Sequence, residues 1–541
     1  MMIFDSIGED ILRLLYGYVA AKSVTGSAEE NSGADFFIEA MSEVPYFKAH
    51  PDNLIRYPIA GDSLKRDVCA AMLRGKSPDT VVMIHHFDVT STEDYGRFAS
   101  VAFDPDALIR VLRSGDVVLE QDALNDLNSG DFIFGHGVCD MKGGGAIQMS
   151  LLSRLSEIAD FPATLLLIGI PDEENLSAGM RAAVSLLSEL KEKHGLNYKL
   201  MINSEPHQRK DPQKGVFSIG STGKLLPFIY VKGRMSHAGK SAEGINPLAV
   251  ASRIVAATEG LPFTDDGAPT PTWLMLRDDK LHYDVSMPRS VFGCMSVLSF
   301  HATVSEILGK LRKVCEAAFD DCIDARTKAL GIKRSALPWN PRVYSWTEVL
   351  AEVESIGGEE WKRSSALLFD KLERGIESGE MCFADAYRLL LEFTVNELPD
   401  VPLVVFGLMP PYYPAVTNGN FAGLPESIAN LGKLLNEYSV AEFGQEYEIE
   451  EFYTGISDLS YSSLAPNQSR EDKLAFIEEV PMYAKGYTLN IDDLMNIAMP
   501  CINIGPWGKD FHKLTERVCL SDLVEKTPKL LHRAIQIALG I

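Results

Sequence analysis

Apolar residues recur at helical spacing across residues 4–22, where Ile11, Leu12, Leu14, Leu15, Tyr18 and Val19 share one face. The spacing predicts an amphipathic helix, stopped by Ser23-Val24-Thr25-Gly26. Four short apolar runs stand out beyond it, at residues 80–84, 164–170, 199–202 and 501–504. Each is bounded by polar or turn residues and rich in Val, Ile, Leu or Met, as expected for strands buried on both faces. Helix-like stretches at 145–158 and 178–194 separate the early runs. Alternating strand and helix predicts an α/β domain with a largely parallel sheet.

The middle of the chain follows another pattern. Residues 215–233 are strand-like through Phe217, Ile219, Phe228, Tyr230 and Val231, and 246–259 are helical. Residues 290–299 are strand-like again, 304–329 form a long amphipathic helix, and 402–408 make a further strand. This βαββαβ-like order predicts a separate α+β domain inserted into the first, with 342–398 as an extra, mainly helical elaboration. The α/β pattern resumes from Pro414. The expected division is a discontinuous α/β domain over 1–214 and 415–541, with the inserted domain over 215–414.

Composition sharpens this picture. A chain of 541 residues is too long for one hydrophobic core, so two or three domains are expected. With 46% hydrophobic and 23% charged residues, disorder does not dominate. The net charge of −24 disfavours a polyanionic partner, because nucleic-acid binding needs clustered Lys and Arg. The short basic clusters, Lys191-Glu192-Lys193 and Lys310-Leu311-Arg312-Lys313, lie in helix-like stretches as solvated faces. The eight Cys form no CxxC pair, which reads as reduced thiols in an intracellular protein. Asp5, Glu9 and Asp10 precede the first basic residue, unlike a secretory leader. No apolar run approaches the ~18 residues of a membrane span. A cytoplasmic protein without a membrane partner is expected.

In an open α/β sheet, ligands bind beyond the carboxyl ends of the strands. The four runs are followed there by His85-His86-Phe87-Asp88, by Pro171-Asp172-Glu173-Glu174, by Asn203-Ser204-Glu205-Pro206, and by Gly505-Pro506-Trp507-Gly508 with His512 close behind. Between the first two lies Gly135-His136-Gly137-Val138-Cys139-Asp140-Met141-Lys142-Gly143-Gly144. Four strands thus deliver His or carboxylates to one edge. Carboxylates packed together raise one another's pKa, and a bound cation removes that cost. Imidazole with carboxylate and no thiolate suits zinc, with manganese or cobalt as alternatives.

These motifs carry a family resemblance. His86-Phe87-Asp88, Gly137-Val138-Cys139-Asp140-Met141-Lys142-Gly143, Asp172-Glu173-Glu174, Ser204-Glu205-Pro206 and His512-Lys513-Leu514-Thr515-Glu516 resemble, in order, those of the M20 metallopeptidases, the aminoacylase and carboxypeptidase family of co-catalytic zinc hydrolases. Ser23-Val24-Thr25-Gly26 and Gly455-Ile456-Ser457-Asp458 also look like family landmarks. Chain length and Met409-Pro410-Pro411-Tyr412-Tyr413-Pro414 look like the arginine-utilisation (RocB-type) branch.

The resemblance implies an α/β/α zinc-peptidase-like catalytic domain with an inserted ferredoxin-like lid or dimerisation domain. It implies two divalent ions, Zn²⁺ first and Mn²⁺ or Co²⁺ next. His86 would bind one and His512 the other, Asp140 would bridge them, and Glu174 and Glu205 would complete the two sets. Asp88 would orient the His86 imidazole, and Glu173 would be the general base. His237, in Gly233-Arg234-Met235-Ser236-His237-Ala238-Gly239, would polarise the scissile carbonyl, often in the partner subunit's site. Asn246 matches a further family position associated with substrate contact.

His85 reads as a strand-end neighbour, His136 as a loop-shaping residue in place of a common Arg, and Cys139 as no catalytic thiol. The family often holds a substrate carboxylate with an Arg on the inserted domain. Arg289 is the nearest counterpart, but the alignment there is not secure. The expected activity is hydrolysis of an amide or peptide bond in an N-acyl amino acid or short peptide, by a homodimer paired through the lid. The alternatives are an ester or carbamoyl substrate at the same metals, or a non-catalytic relative that binds an amino acid or partner protein.

Overall fold

The computed structural model describes residues 3–337, 340–464 and 469–541. The chain divides into two compact units. The first comprises Met1–Thr222, Val416–Asn467 and Asn490–Ile541, and the second Gly223–Ala415 and Gln468–Leu489.

The first unit opens with helix α1 (Ile7–Ala20), strands β1 (Leu54–Pro58), β2 (Asp67–Leu73) and β3 (Asp79–His86), and helix α2 (Lys142–Leu155). It continues with β4 (Thr164–Ile170), α3 (Ala178–His194), β5 (Asn197–Asn203) and β6 (Lys214–Ser218). The second unit runs β7 (Gly223–Lys232), α4 (Pro247–Ala256), β8 (Thr272–Asp278), β9 (Ser290–Ser299), α5 (Val304–Leu330), β10 (Arg342–Ser345), α6 (Trp346–Glu377), α7 (Phe383–Val395) and β11 (Leu403–Tyr413). The chain then returns to the first unit with β12 (Glu446–Glu450), β13 (Cys501–Asn503) and α8 (Thr527–Leu539).

Eight strands of the first unit form one sheet in the order β1-β2-β4-β3-β5-β13-β6-β12. Its centre, β4-β3-β5-β13, is parallel throughout, and these are the four apolar runs of the sequence. Their side chains are buried along nearly their whole length, as doubly covered strands require. The sheet as a whole is mixed, not largely parallel. β1 and β2 are joined by only eight residues, too few for a crossover, so they pair antiparallel. β2 pairs antiparallel with β4, and β13 meets β6 antiparallel. The strand-like stretch 215–233 splits: β6 joins the large sheet beside β12, and β7 opens the second unit. Continuous apolar character cannot show where a chain changes sheets.

Helix α1 buries Ile7, Ile11, Leu14, Leu15, Tyr18 and Val19 and packs on α2. Left-handed backbone at Lys22 (φ 38°) and Ser23 (φ 42°) prevents its continuation. Helix α2 is buried almost all round. Its first turn lies against the strand ends because it is glycine: a Cβ on Gly144 would sit 2.2 Å from the Ser204 carbonyl oxygen, and one on Gly145 would sit 2.6 Å from the His85 ring.

The second unit has a five-stranded sheet, β8-β9-β7-β11-β10. β7-α4-β8-β9-α5-β11 is a βαββαβ unit whose first four sheet positions have the ferredoxin-like order. Strand β10 and helices α6 and α7 are inserted before β11, within the stretch read as a helical elaboration. Edge strand β8 has no counterpart in the sequence reading, because its exposed Leu274 and Leu276 break the alternation that marks a half-buried strand. Among the described residues, no helix is long and apolar enough to cross a membrane.

The tight α2 contact is testable. Gly144→Ala should destabilise the protein by about 1–3 kcal/mol through overpacking. Gly309→Ala, in exposed helical backbone with nothing within 4 Å of the new methyl, should be neutral or stabilising by up to about 1 kcal/mol. Denaturant titration followed by circular dichroism measures both.

Candidate metal centre

His86 ends β3, Glu173 and Glu174 follow β4, Glu205 follows β5, and His512 follows β13. Successive strand side chains point to opposite faces, so His85 and His86 part company at the sheet edge. His85 is buried between the Tyr18 hydroxyl and Gln148 Oε1, each 3.0 Å away. The His86 ring turns into the site and is only 1% exposed.

His86 Nδ1 lies 3.0 Å from the Asp88 carbonyl oxygen. A carbonyl only accepts, so Nδ1 carries the hydrogen and, in the neutral ring, Nε2 presents its lone pair. Nε2 faces Asp140 Oδ1 at 3.1 Å and Glu205 Oε1 at 3.5 Å. On the other side, His512 Nε2 lies 3.1 Å from Asp140 Oδ2 and 2.8 Å from Glu174 Oε1. The two oxygens of Asp140 therefore face two different imidazoles. Two triads can each hold an ion, His86–Asp140–Glu205 and Asp140–Glu174–His512, and Asp140 belongs to both. A third grouping, His86–Glu173–Glu174, overlaps them. Ligands of a tetrahedral zinc, each at about 2.0–2.2 Å from the ion, stand about 3.3 Å apart. The separations of Asp140 from His86 and His512, 3.1 Å each, and of Glu205 from His86, 3.5 Å, are near that spacing, and the His512–Glu174 separation of 2.8 Å is shorter.

The electrostatics also fit a cation. Burial raises the Glu173 carboxyl well above its usual range, and Asp458, Glu174 and Glu205 raise it further. Burial and Asp140 do the same to Glu205. Hydrogen bonds that it donates to Asp140 and Glu174 hold the His512 imidazole up to about 11. Burial alone would lower His86, but Glu205, Asp140 and Asp88 overcome it and raise its pKa well above the ordinary value. Glu173 Oε1 is buried without a hydrogen-bond partner among the described residues. Crowded carboxylates, imidazoles forced toward protonation and an unpartnered buried oxygen fit a site built around positive charge.

Asp88 does more than meet one ring. Its Oδ1 accepts the Glu173 N–H at 3.1 Å, and its Oδ2 accepts the Glu174 N–H at 3.2 Å and the Thr25 hydroxyl at 2.7 Å. Its carboxylate stands 3.6 Å from His86 Nδ1, farther than its own carbonyl. Glu516 plays a similar part for the Asp140 loop, accepting the N–H groups of Cys139 (3.1 Å) and Asp140 (3.3 Å). His136 braces that loop against the Thr90 carbonyl at 2.8 Å. Burial pushes the Cys139 thiol up, away from the reactive thiolate.

Several contributors carried no assigned role in the sequence reading. Thr25, Glu516 and Asp458 lie in stretches that it singled out, but their partners are distant in sequence. Arg66, 7% exposed, binds Glu30, Asp62 and Asp172. Asp172 has left-handed backbone (φ 68°), and its side chain accepts the Ala178 N–H at 3.0 Å. Arg66 thereby anchors the turn that carries Glu173 and Glu174. A lone Arg in a loop gives no local signal of this.

His237 lies in the second unit, exposed, with Nδ1 accepting the Gly239 N–H at 3.0 Å. Asn246 caps α4 through the Leu248 N–H at 3.0 Å. Arg289 is exposed, and its backbone N–H donates to Asp279.

Comparison with known proteins places the chain in a family. A model of the peptidase family M20/M25/M40 matches residues 115–536. The uncharacterized protein YqjN of Bacillus subtilis is 31% identical over 544 residues, covering 98% of this chain and 96% of the relative. Protein RocB of the same organism is 27% identical over 528 residues, covering 94% and 91%. The fold resembles the crystal structure of YXEP from Bacillus subtilis, described as a dinuclear metal-binding peptidase from the M20 family, with a TM-score of 0.50, 12% identity and 99% of each chain covered. The chain belongs to peptidase family M20/M25/M40.

Proposed function

We propose that this protein hydrolyses an amide or peptide bond with two divalent metal ions, most simply Zn²⁺. The observation that carries this reading is Asp140, each of whose oxygens stands 3.1 Å from a different imidazole Nε2. His86, Asp140 and Glu205 would hold one ion, and Asp140, Glu174 and His512 the other. Bound there, the pair would supply Lewis acidity toward a substrate carbonyl and an acidified attacking water.

The remaining work falls to the chain. Glu173, with one buried oxygen free, accepts the proton of the attacking water and delivers it to the leaving amine. Asp88 holds Glu173 and Glu174 by their backbone N–H groups and receives the Thr25 hydroxyl, keeping the base and a ligand in register. His237 carries the proposed carbonyl-polarising role. The substrate is a small amide-bonded amino-acid derivative, an N-acyl amino acid or a short peptide. A link to arginine catabolism rests on the similarity to RocB.

A cytoplasmic location agrees with eight free cysteines and no disulfide among the described residues. A homodimer through the second unit agrees with edge strand β8, which presents Leu274 (57% exposed) and Leu276 (40% exposed) beside an unpaired backbone edge. Leu274→Lys with Leu276→Lys should leave monomers in light scattering, whereas an unchanged mass in an intact dimer would place the interface elsewhere.

Glu173→Ala should lose roughly 10²–10⁴-fold in turnover on N-acyl amino acids or dipeptides while still binding two metals by elemental analysis. Full activity would remove Glu173 as the base. No bound metal together with no chelator-sensitive hydrolysis would favour a binding protein over an enzyme. His237→Ala should lower kcat with metal content unchanged.

Metal uptake should also release protons. The raised pKa means that the metal-free protein keeps the His512 imidazole protonated through neutral pH, losing that charge only as pH climbs toward about 11. Metal binding near pH 7.5 should therefore expel a proton from His512, and the raised His86 and Glu205 add to the release. Calorimetry in buffers of different ionisation heat should show at least one proton released as the site fills. No release would argue against the imidazole ligands.

A further inference from the structure

Asp458 is a second buried acid at this site that the proposed chemistry leaves unused. It follows Ser457, whose hydroxyl accepts the Asn203 side-chain N–H at 3.0 Å, two residues before Glu205. Its own carboxylate takes a hydrogen bond from the Ser177 hydroxyl, at the start of the helix that follows Glu173 and Glu174. Asp458 is thus fastened between the β4 and β5 loops. It lies within electrostatic reach of His86, Glu173 and Glu205. The residue is 1% exposed, and its Oδ1 has no hydrogen-bond partner among the described residues. His86, also 1% exposed, and Glu205, 3% exposed, are as buried as Asp458, whereas the His512 side chain across the site is 42% exposed.

A buried carboxylate oxygen without a partner is costly unless a ligand supplies one. Charge says which kind. Once all are ionised, the three liganding carboxylates with Asp88, Glu173 and Asp458 carry six negative charges, of which two divalent ions would cancel four; without that charge, burial raises Glu173 well above its usual range and Asp458 to about 7. The nearby cations are already engaged. Arg66 is shared among three carboxylates, and Lys142 Nζ turns to the Lys22 carbonyl at 3.5 Å and the Tyr18 ring. This wall of the site is therefore short of positive charge and offers nothing to a substrate carboxylate.

We propose that Asp458 binds the free α-ammonium group of the substrate, so that the enzyme acts on peptides or aminoacyl amides with an unblocked amino terminus and not on N-acylated amino acids. This rests on the hydrolase reading above and narrows its substrate class. An α-ammonium lies two bonds from the scissile carbonyl, so its partner must lie near the catalytic base, as a side chain fastened between the Glu173–Glu174 and Glu205 loops does. A side-chain guanidinium lies several bonds farther away.

The test uses the metal-loaded protein and paired ligands, the hydroxamates of L-leucine and L-arginine and their Nα-acetyl counterparts, with binding read by calorimetry. In the unmutated protein, acetylation should weaken binding about 10- to 100-fold. Asp458→Asn should remove that difference by weakening the free-amine ligands alone, with metal content unchanged. It should raise KM for free-amine substrates more than it lowers kcat. Equal binding of the pairs, or binding of neither, overturns the proposal even if the variant fails to fold. So does arginine hydroxamate alone responding, regardless of acetylation, which would point to the guanidinium. If no substrate is turned over but the Asp458-dependent preference holds, the anchor stands and the hydrolase reading falls.

Discussion

The structure of the first unit turns on an electrostatic conflict. Four parallel strands end side by side, and their carboxyl ends bring Glu173, Glu174, Glu205 and the adjoining Asp140 into one buried cavity. Burial penalises every one of these charges, and each raises the cost of its neighbours. His86 and His512 ease the conflict only by taking up protons. Divalent ions held there would ease it more completely, so the crowding that costs the site its charges is also what fits it for metal.

Such a cavity needs rigid walls, and these are built from backbone hydrogen bonds to acids outside the ligand set. Asp88 gathers the Glu173–Glu174 turn, Glu516 gathers the Cys139–Asp140 turn, and Arg66 locks the turn at Asp172. The left-handed backbone at Asp172 (φ 68°) is held by this network through Arg66. The glycines opening α2 complete the wall by letting a helix lie directly on the strand ends. The second unit is organised on other lines. Its ferredoxin-like sheet carries inserted helices and leaves an apolar edge strand uncovered within the chain.

Much of this was legible in the sequence. The four doubly buried strands announced themselves as short Val-, Ile- and Leu-rich runs, because burial on both faces removes the polar alternation. The residues after each run supplied the candidate ligands, because chemistry at the end of a parallel strand faces the cleft. Helix α1 and the strand–helix alternation of the second unit, β8 apart, followed from periodicity. Strand β8 was not legible, since an edge strand with exposed leucines has no clean alternation, and neither was the passage of residues 214–232 from one sheet to another.

The sequence by itself determined which side chains reach the sheet edge, since strand length and the two-residue alternation fix which side chain leaves each strand end. Only the tertiary structure decided how they combine: that Asp140 faces both imidazoles, that Asp88 acts as much on Glu173 and Glu174 as on His86, that Arg66 supports a turn more than 100 residues away, and that Asp458 stands inside with an oxygen unpartnered. These pairings join segments far apart in the chain. No local period encodes them, because they follow from strand order in the sheet, which is settled by packing of the whole unit.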